Sequence, residues 1–168
     1  MAGTVATQLR AKADAAWSNL NRQLQGMDAH LDKSDAPGQW TTRQVLSHLL
    51  FQPDSDPVGA LKTFSKSGFP TFDIVPGEHY CAGNRASMTL RQFIDALDRQ
   101  RQSVFGYLDS LSDADLQERK ARIPLFKQIM GTDEVPIANY TGALFDYHWN
   151  DHAGQLGKIR KAAGLPDA

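Results

Sequence analysis

Four stretches of this chain repeat their apolar residues every three or four positions, and none of comparable length alternates with the period of two that a strand requires. That pattern most restricts the fold. Residues 4–31 carry Leu9, Ala13, Ala16, Trp17, Leu20, Leu24, Met27 and Leu31 at helical spacing, with Gln8, Lys12, Asn19, Arg22 and Gln25 between them. Pro37 and Gly38 interrupt the pattern. A second helix is expected from Thr41, where Thr41 and Gln44 have the spacing of a capping box and Trp40 and Val45 that of a hydrophobic staple. It carries Val45, Leu46, His48, Leu49 and Leu50 and must stop near Pro53. A short helical piece is expected over 58–64.

Residues 65–87 hold Gly68, Pro70, Pro76, Gly77 and Gly83 and sustain no period, which predicts a long connection carrying Glu78, His79, Tyr80 and Cys81. Thr89 and Gln92 repeat the capping-box spacing and Met88 and Phe93 the staple. The helix they open has its stripe at Leu90, Phe93, Ile94, Leu97, Val104, Leu108 and Leu111. Residues 112–115 look like a turn with a short helical start, and 122–126 like a short extended piece. A fourth helix is expected from Pro136, as a first helical residue, to about Ala163, closed by Gly164 and Pro166. Four amphipathic helices without a convincing strand predict an all-α four-helix bundle, residues 1–168 forming one domain. The long link between helices 2 and 3 can cross the length of the bundle and let those two helices run parallel.

Composition narrows the function by exclusion. The 168 residues carry 18 Lys+Arg and 19 Asp+Glu, a formal charge of −1, so no charge excess points to a nucleic acid or an anionic membrane. The most basic run, Arg119-Lys120-Ala121-Arg122, is short and reads as a solvated face. No stretch approaches the ~20 apolar residues of a membrane span, and the first residues lack the pattern of a secretory signal. A single cysteine, Cys81, excludes an internal disulfide framework and a thiolate zinc cluster; a reducing, cytoplasmic setting is expected.

The five histidines are then the main chemical resource. The inward stripe of the fourth helix is drawn through Ile137, Thr141, Leu144, His148, His152, Gln155 or Leu156, and Ile159. His148 and His152, four apart, project from one face, a spacing used by two metal ligands on one helix. His48 lies on the apolar face of helix 2, so three imidazoles from two helices can converge inside the bundle. Spacing alone leaves two readings open: a shared cation, or three buried histidines satisfied by hydrogen bonds. Gln52, Asn150, Asp151 and Gln155 are placed to hold the second ring nitrogen of a ligand, although for Asn150 and Asp151 ordinary surface polarity is the simpler reading. Glu78, His79 and Asp151 are the candidates for a general base. Cys81 reads as an inert thiol, Trp17 and Trp40 as core, and Trp149 as facing a neighbouring helix or a second subunit.

The segments Gln39-Trp40-Thr41-Thr42-Arg43-Gln44-Val45-Leu46-Ser47-His48-Leu49 and Tyr147-His148-Trp149-Asn150-Asp151-His152-Ala153-Gly154-Gln155-Leu156 resemble the DinB/YfiT-like superfamily. The closing run Ile159-Arg160-Lys161-Ala162-Ala163-Gly164-Leu165-Pro166 fits the same resemblance. It implies a four-helix bundle in which one histidine of helix 2 and an HxxxH pair of helix 4 bind a divalent metal; the matching positions here are His48, His148 and His152. It also implies a metal-dependent enzyme acting on a small molecule, either a thiol-dependent S-transferase using a low-molecular-weight thiol or a hydrolase, with a non-catalytic metal-binding or stress-response module as the alternative. No motif of the family's thiol-specificity residues is found in this chain. Homodimers are common among its members. All-imidazole ligation suits zinc or nickel first, and admits iron, copper or manganese.

Overall fold

The computed structural model describes residues 3–168. Helix α1 spans Thr4–Leu24. It buries Ala6, Ala13, Ala16, Leu20 and Leu24, and the alanines let a neighbouring helix come close. No side chain of its own caps it; the Asp113 carboxylate accepts from the Thr4 and Val5 amides at 3.1 and 3.0 Å. The helix stops seven residues short of the sequence expectation. Gly26 adopts a left-handed φ of +74°, and a 3₁₀ turn at Asp28–His30 keeps Met27 and Leu31 buried at spacings that mimic a continuing helix.

Helix α2 (Thr42–Leu49) and helix α4 (Leu90–Leu108) both open on the expected capping boxes, each with its two reciprocal bonds formed. Between them lie α3 (Pro57–Thr63) and a 3₁₀ turn at Gly83–Ser87. After α5 (Asp113–Glu118) the chain departs from the expected irregular stretch. Strands β1 (Lys120–Arg122) and β2 (Glu134–Pro136) pair antiparallel with Ala121 opposite Val135, and α6 (Pro124–Met130) fills the connection. The extended piece read over 122–126 is thus a strand end followed by a helix, since Pro124 suits a first helical turn. Two single bridges, Ser65 to Lys120 and Thr71 to Arg122, pin the start of the long 65–87 connection to β1.

The last helix begins after Pro136, which closes β2 and serves as the N-cap, rather than at it. It runs as α7 (Ile137–Gly142), a π turn (Ala143–Tyr147) and α8 (His148–Ala162), followed by Gly164 at φ +76°. The wide turn divides the buried face. Phe145 meets Phe105 of α4 and Trp149 meets Trp17 of α1, with ring centroids 5.4 Å apart in each pair, while His148 turns toward α2.

Side-chain bonds fix the helix directions. Asn19 meets Asn150, and Arg160 reaches the Gln23 carbonyl, so α1 and α8 run parallel. Arg10 meets Asp109 and Asp14 meets Arg101, so α1 and α4 are antiparallel. Arg43 reaches the Met88 carbonyl and Gln100 the Leu49 carbonyl, which makes α2 parallel to α4. The bundle is therefore up, down, down, up, and the 65–87 crossover makes the two central helices parallel. Its core includes Leu20, Leu24, Leu46, Leu49, Phe93, Leu97, Phe105, Phe145, Trp149 and Leu156, with Trp149 fully buried against Trp17 of α1 and Phe145.

Candidate metal centre

α2 and α8 pass each other in opposite directions, and the three expected histidines meet where they cross. One ring-nitrogen atom from each of His48, His148 and His152 can be chosen so that all three lie within 4.8 Å of one another. The rings stand edge to face, with centroids 4.7–4.9 Å apart. Residues 48 and 148 are half-buried, and His152 is buried.

Hydrogen bonds orient the rings. The Glu78 carbonyl lies 2.6 Å from Nδ1 of His48. A carbonyl only accepts, so Nδ1 carries the proton and Nε2 keeps its lone pair. The Gln155 amide oxygen accepts from Nδ1 of His152 at 2.8 Å with the same consequence. Nε2 of His48 lies 2.9 Å from Nε2 of His148. Two bare lone pairs at that distance repel, so either a proton or a cation must lie between them.

All three rings are held neutral. Burial lowers the pKa of His148 to about 3, with His152 and His48 adding a smaller repulsion. Burial also lowers His48 and His152, each against an opposing hydrogen bond. Neutral imidazole is the form that ligates a metal. A cluster of neutral rings with two Nδ1–H groups anchored and Nε2 atoms turned inward therefore fits a divalent ion on its donor chemistry.

Trp40 bounds the cluster. Its ring lies 5.0 Å from His48 and parallel to His152 at 6.2 Å. Phe51 lies almost parallel to His148 at 6.5 Å. The remaining candidates fall outside the trio. Glu78 contributes its backbone carbonyl, and its side chain is exposed. His79 packs edge-on against Trp40; its Nδ1 accepts the Cys81 amide and its Nε2 faces Gln44. Burial raises the Cys81 thiol against the pull of Arg43 and Arg85, which disfavours thiolate. Asn150 bonds Asn19 and the Asp146 carbonyl, while Gln52 and Asp151 are exposed. Of the four residues proposed to hold a second ring nitrogen, Gln155 is the one that does so.

The up-down-down-up helical bundle thus brings three imidazoles together from α2 and α8. Residues 8–156 match the DinB superfamily, and the chain belongs to it. The fold also resembles the solved structure of YfiT from Bacillus subtilis, described as a probable metal-dependent hydrolase with an unusual four-helix bundle topology. The TM-score is 0.70 over 96% of this chain and 89% of that one, at 18% identity, so the likeness is one of fold. No curated protein matches this chain by sequence.

Proposed function

We propose that the chain holds one divalent metal ion through Nε2 of His48, His148 and His152 and acts on a small molecule as a metal-dependent hydrolase. The observation that carries this is the trio itself: among the described residues no Cys, Asp, Glu or further His joins the cluster. Three protein ligands leave a coordination position open, as in catalytic sites, whereas structural zinc sites are closed by four. When bound, the ion supplies Lewis acidity, polarising a substrate oxygen or lowering the pKa of a water or thiol ligand. Burial holds the three rings neutral, while the Glu78 carbonyl and Gln155 aim two of them, His48 and His152. The likeness to YfiT supports hydrolysis over thiol transfer, and the absence of a thiol-specificity motif agrees with it. Zinc or nickel suits the all-nitrogen donor set. The single Cys81, half-buried and unpaired, supports a reducing cytoplasmic setting.

One observation favours the second reading, a non-catalytic metal module. Two surface depressions lie away from the histidines, one beside Leu24, Leu90 and Ile94, the other beside Leu50, Val58 and Gln100. Elemental analysis and turnover assays on the same preparations separate the readings. His48→Ala and His152→Ala are expected to lose stoichiometric metal, and undiminished metal in either contradicts the site. Metal-dependent ester or amide hydrolysis lost in His148→Ala supports the enzyme; bound metal without turnover across several metals and small substrates, thiol acceptors included, supports the module.

A further inference from the structure

We infer that Arg85 is a positioning residue for this centre, setting the first histidine through the end of α2 and the second through Phe51; the inference rests on the metal reading above. A helix leaves its last carbonyls without intrahelical partners, and α2 is only eight residues long. The half-buried Arg85, on the 3₁₀ turn of the crossover, supplies donors to that end. Its Nη1 donates to the Ser47 carbonyl at 3.0 Å and to the Phe51 carbonyl, and its Nη2 reaches the Leu50 carbonyl at 3.5 Å. These carbonyls flank His48 on both sides. A cation there also complements the negative end of the helix dipole. The Arg85 side chain has no carboxylate partner among the described salt bridges, so its fixed fork of donors goes to the α2 terminus and the Ser47 side chain.

Phe51 adopts φ +60°, a left-handed conformation that a bulky residue rarely takes. Its carbonyl is one of those Arg85 holds, and its ring lies parallel to His148. The crossover thus holds α2 at the His48 ring through the Glu78 carbonyl and at the helix end through Arg85, besides the contact of His79 with Gln44 nearer the helix start. Neither sequence spacing nor helical periodicity connects residue 85 to residue 148; the strained Phe51 backbone does.

The test is cobalt(II) binding to the full chain, measured by competition with a chromophoric chelator and by the visible absorption of the bound ion, which reports ligand geometry. Arg85→Ala is expected to weaken cobalt binding by up to about 10-fold, the low end of the loss when a group bonded directly to a ligand is removed, because Arg85 acts one step further out, and to change the visible spectrum. Arg85→Lys, which keeps the charge but not the fork, is expected to recover part of the affinity. Circular dichroism checks that each variant is folded; should the alanine variant not fold, the Lys variant and Arg85→Gln carry the comparison. A folded variant with a lower melting temperature but wild-type affinity and spectrum overturns the assignment and leaves the metal site standing. Wild-type protein that takes up no cobalt, nickel or zinc overturns the metal reading and this inference together.

Discussion

His48, His148 and His152 are each fixed by a different kind of partner. A backbone carbonyl of the crossover anchors the first, a packed aromatic ring lies against the second, and an amide one helical turn away holds the third. The sequence points to the three histidines because they fall on apolar faces, and Gln155 follows from its spacing. The Glu78 carbonyl carries no side-chain signature, and Arg85 sits in a segment without periodicity, so both wait for coordinates. Trp40, expected in the core, is half-buried at its edge, and helical spacing does not show that it packs on the histidines. A pH prediction belongs at this scale. In the metal-free protein the folded pKa of His148 is about 3 against 6.5 for the free side chain, and the other two rings are lowered in the same direction. Between those values the unfolded chain binds more protons than the folded one. Stability therefore rises with pH through that window, by up to about 1.4 kcal/mol per pH unit for the His148 ring, with the other two adding in the same direction, and this contribution is level above about pH 7. Urea unfolding of chelator-treated protein at pH 5 and pH 7 measures it. Equal stability, after allowance for the carboxylates, would mean that the rings protonate freely in the folded state.

Helix starts were more legible than helix ends or interruptions. The Thr41 and Thr89 capping boxes follow from side chains three residues apart, and both form as expected. Thr89→Ala is expected to lower stability by about 1 kcal/mol and leave metal affinity unchanged, because α4 contributes none of the three rings. A denaturation midpoint equal to wild type would remove the cap's role. Thr41→Ala is a less clean test, since its box partner Gln44 also faces His79. The π turn at Ala143–Tyr147 escapes a reading based on a 3.6-residue period, because an approximate stripe passes over a single wide turn. It nonetheless separates the residues that face α1 and α4, Phe145 and Trp149, from the pair that faces α2. Strands of three residues are too short to show alternation, so β1 and β2 leave no trace in the hydropathy pattern.

Across the whole molecule, the proposed ion joins parts of the chain 100 residues apart, on the antiparallel helices α2 and α8, the first of them held by a crossover that is itself pinned to β1. The bundle order was readable from the length of that crossover; the direction of each pair rests on contacts between distant side chains. Among the described residues no helix is long and apolar enough to cross a membrane. Because the ligands converge only in the folded chain, metal is expected to stabilise it, by about 2.7 kcal/mol at a free concentration 100 times the dissociation constant. Melting with and without chelator reads this, and an unchanged melting temperature would count against a bundle-spanning ion. The most direct test is anomalous diffraction from crystals of metal-loaded protein, collected on both sides of the metal's absorption edge. The account predicts one strong peak within bonding distance, about 2.0–2.1 Å for zinc, of Nε2 of His48, His148 and His152. A loaded crystal with no peak among these rings, or with its peak at other residues, would contradict it.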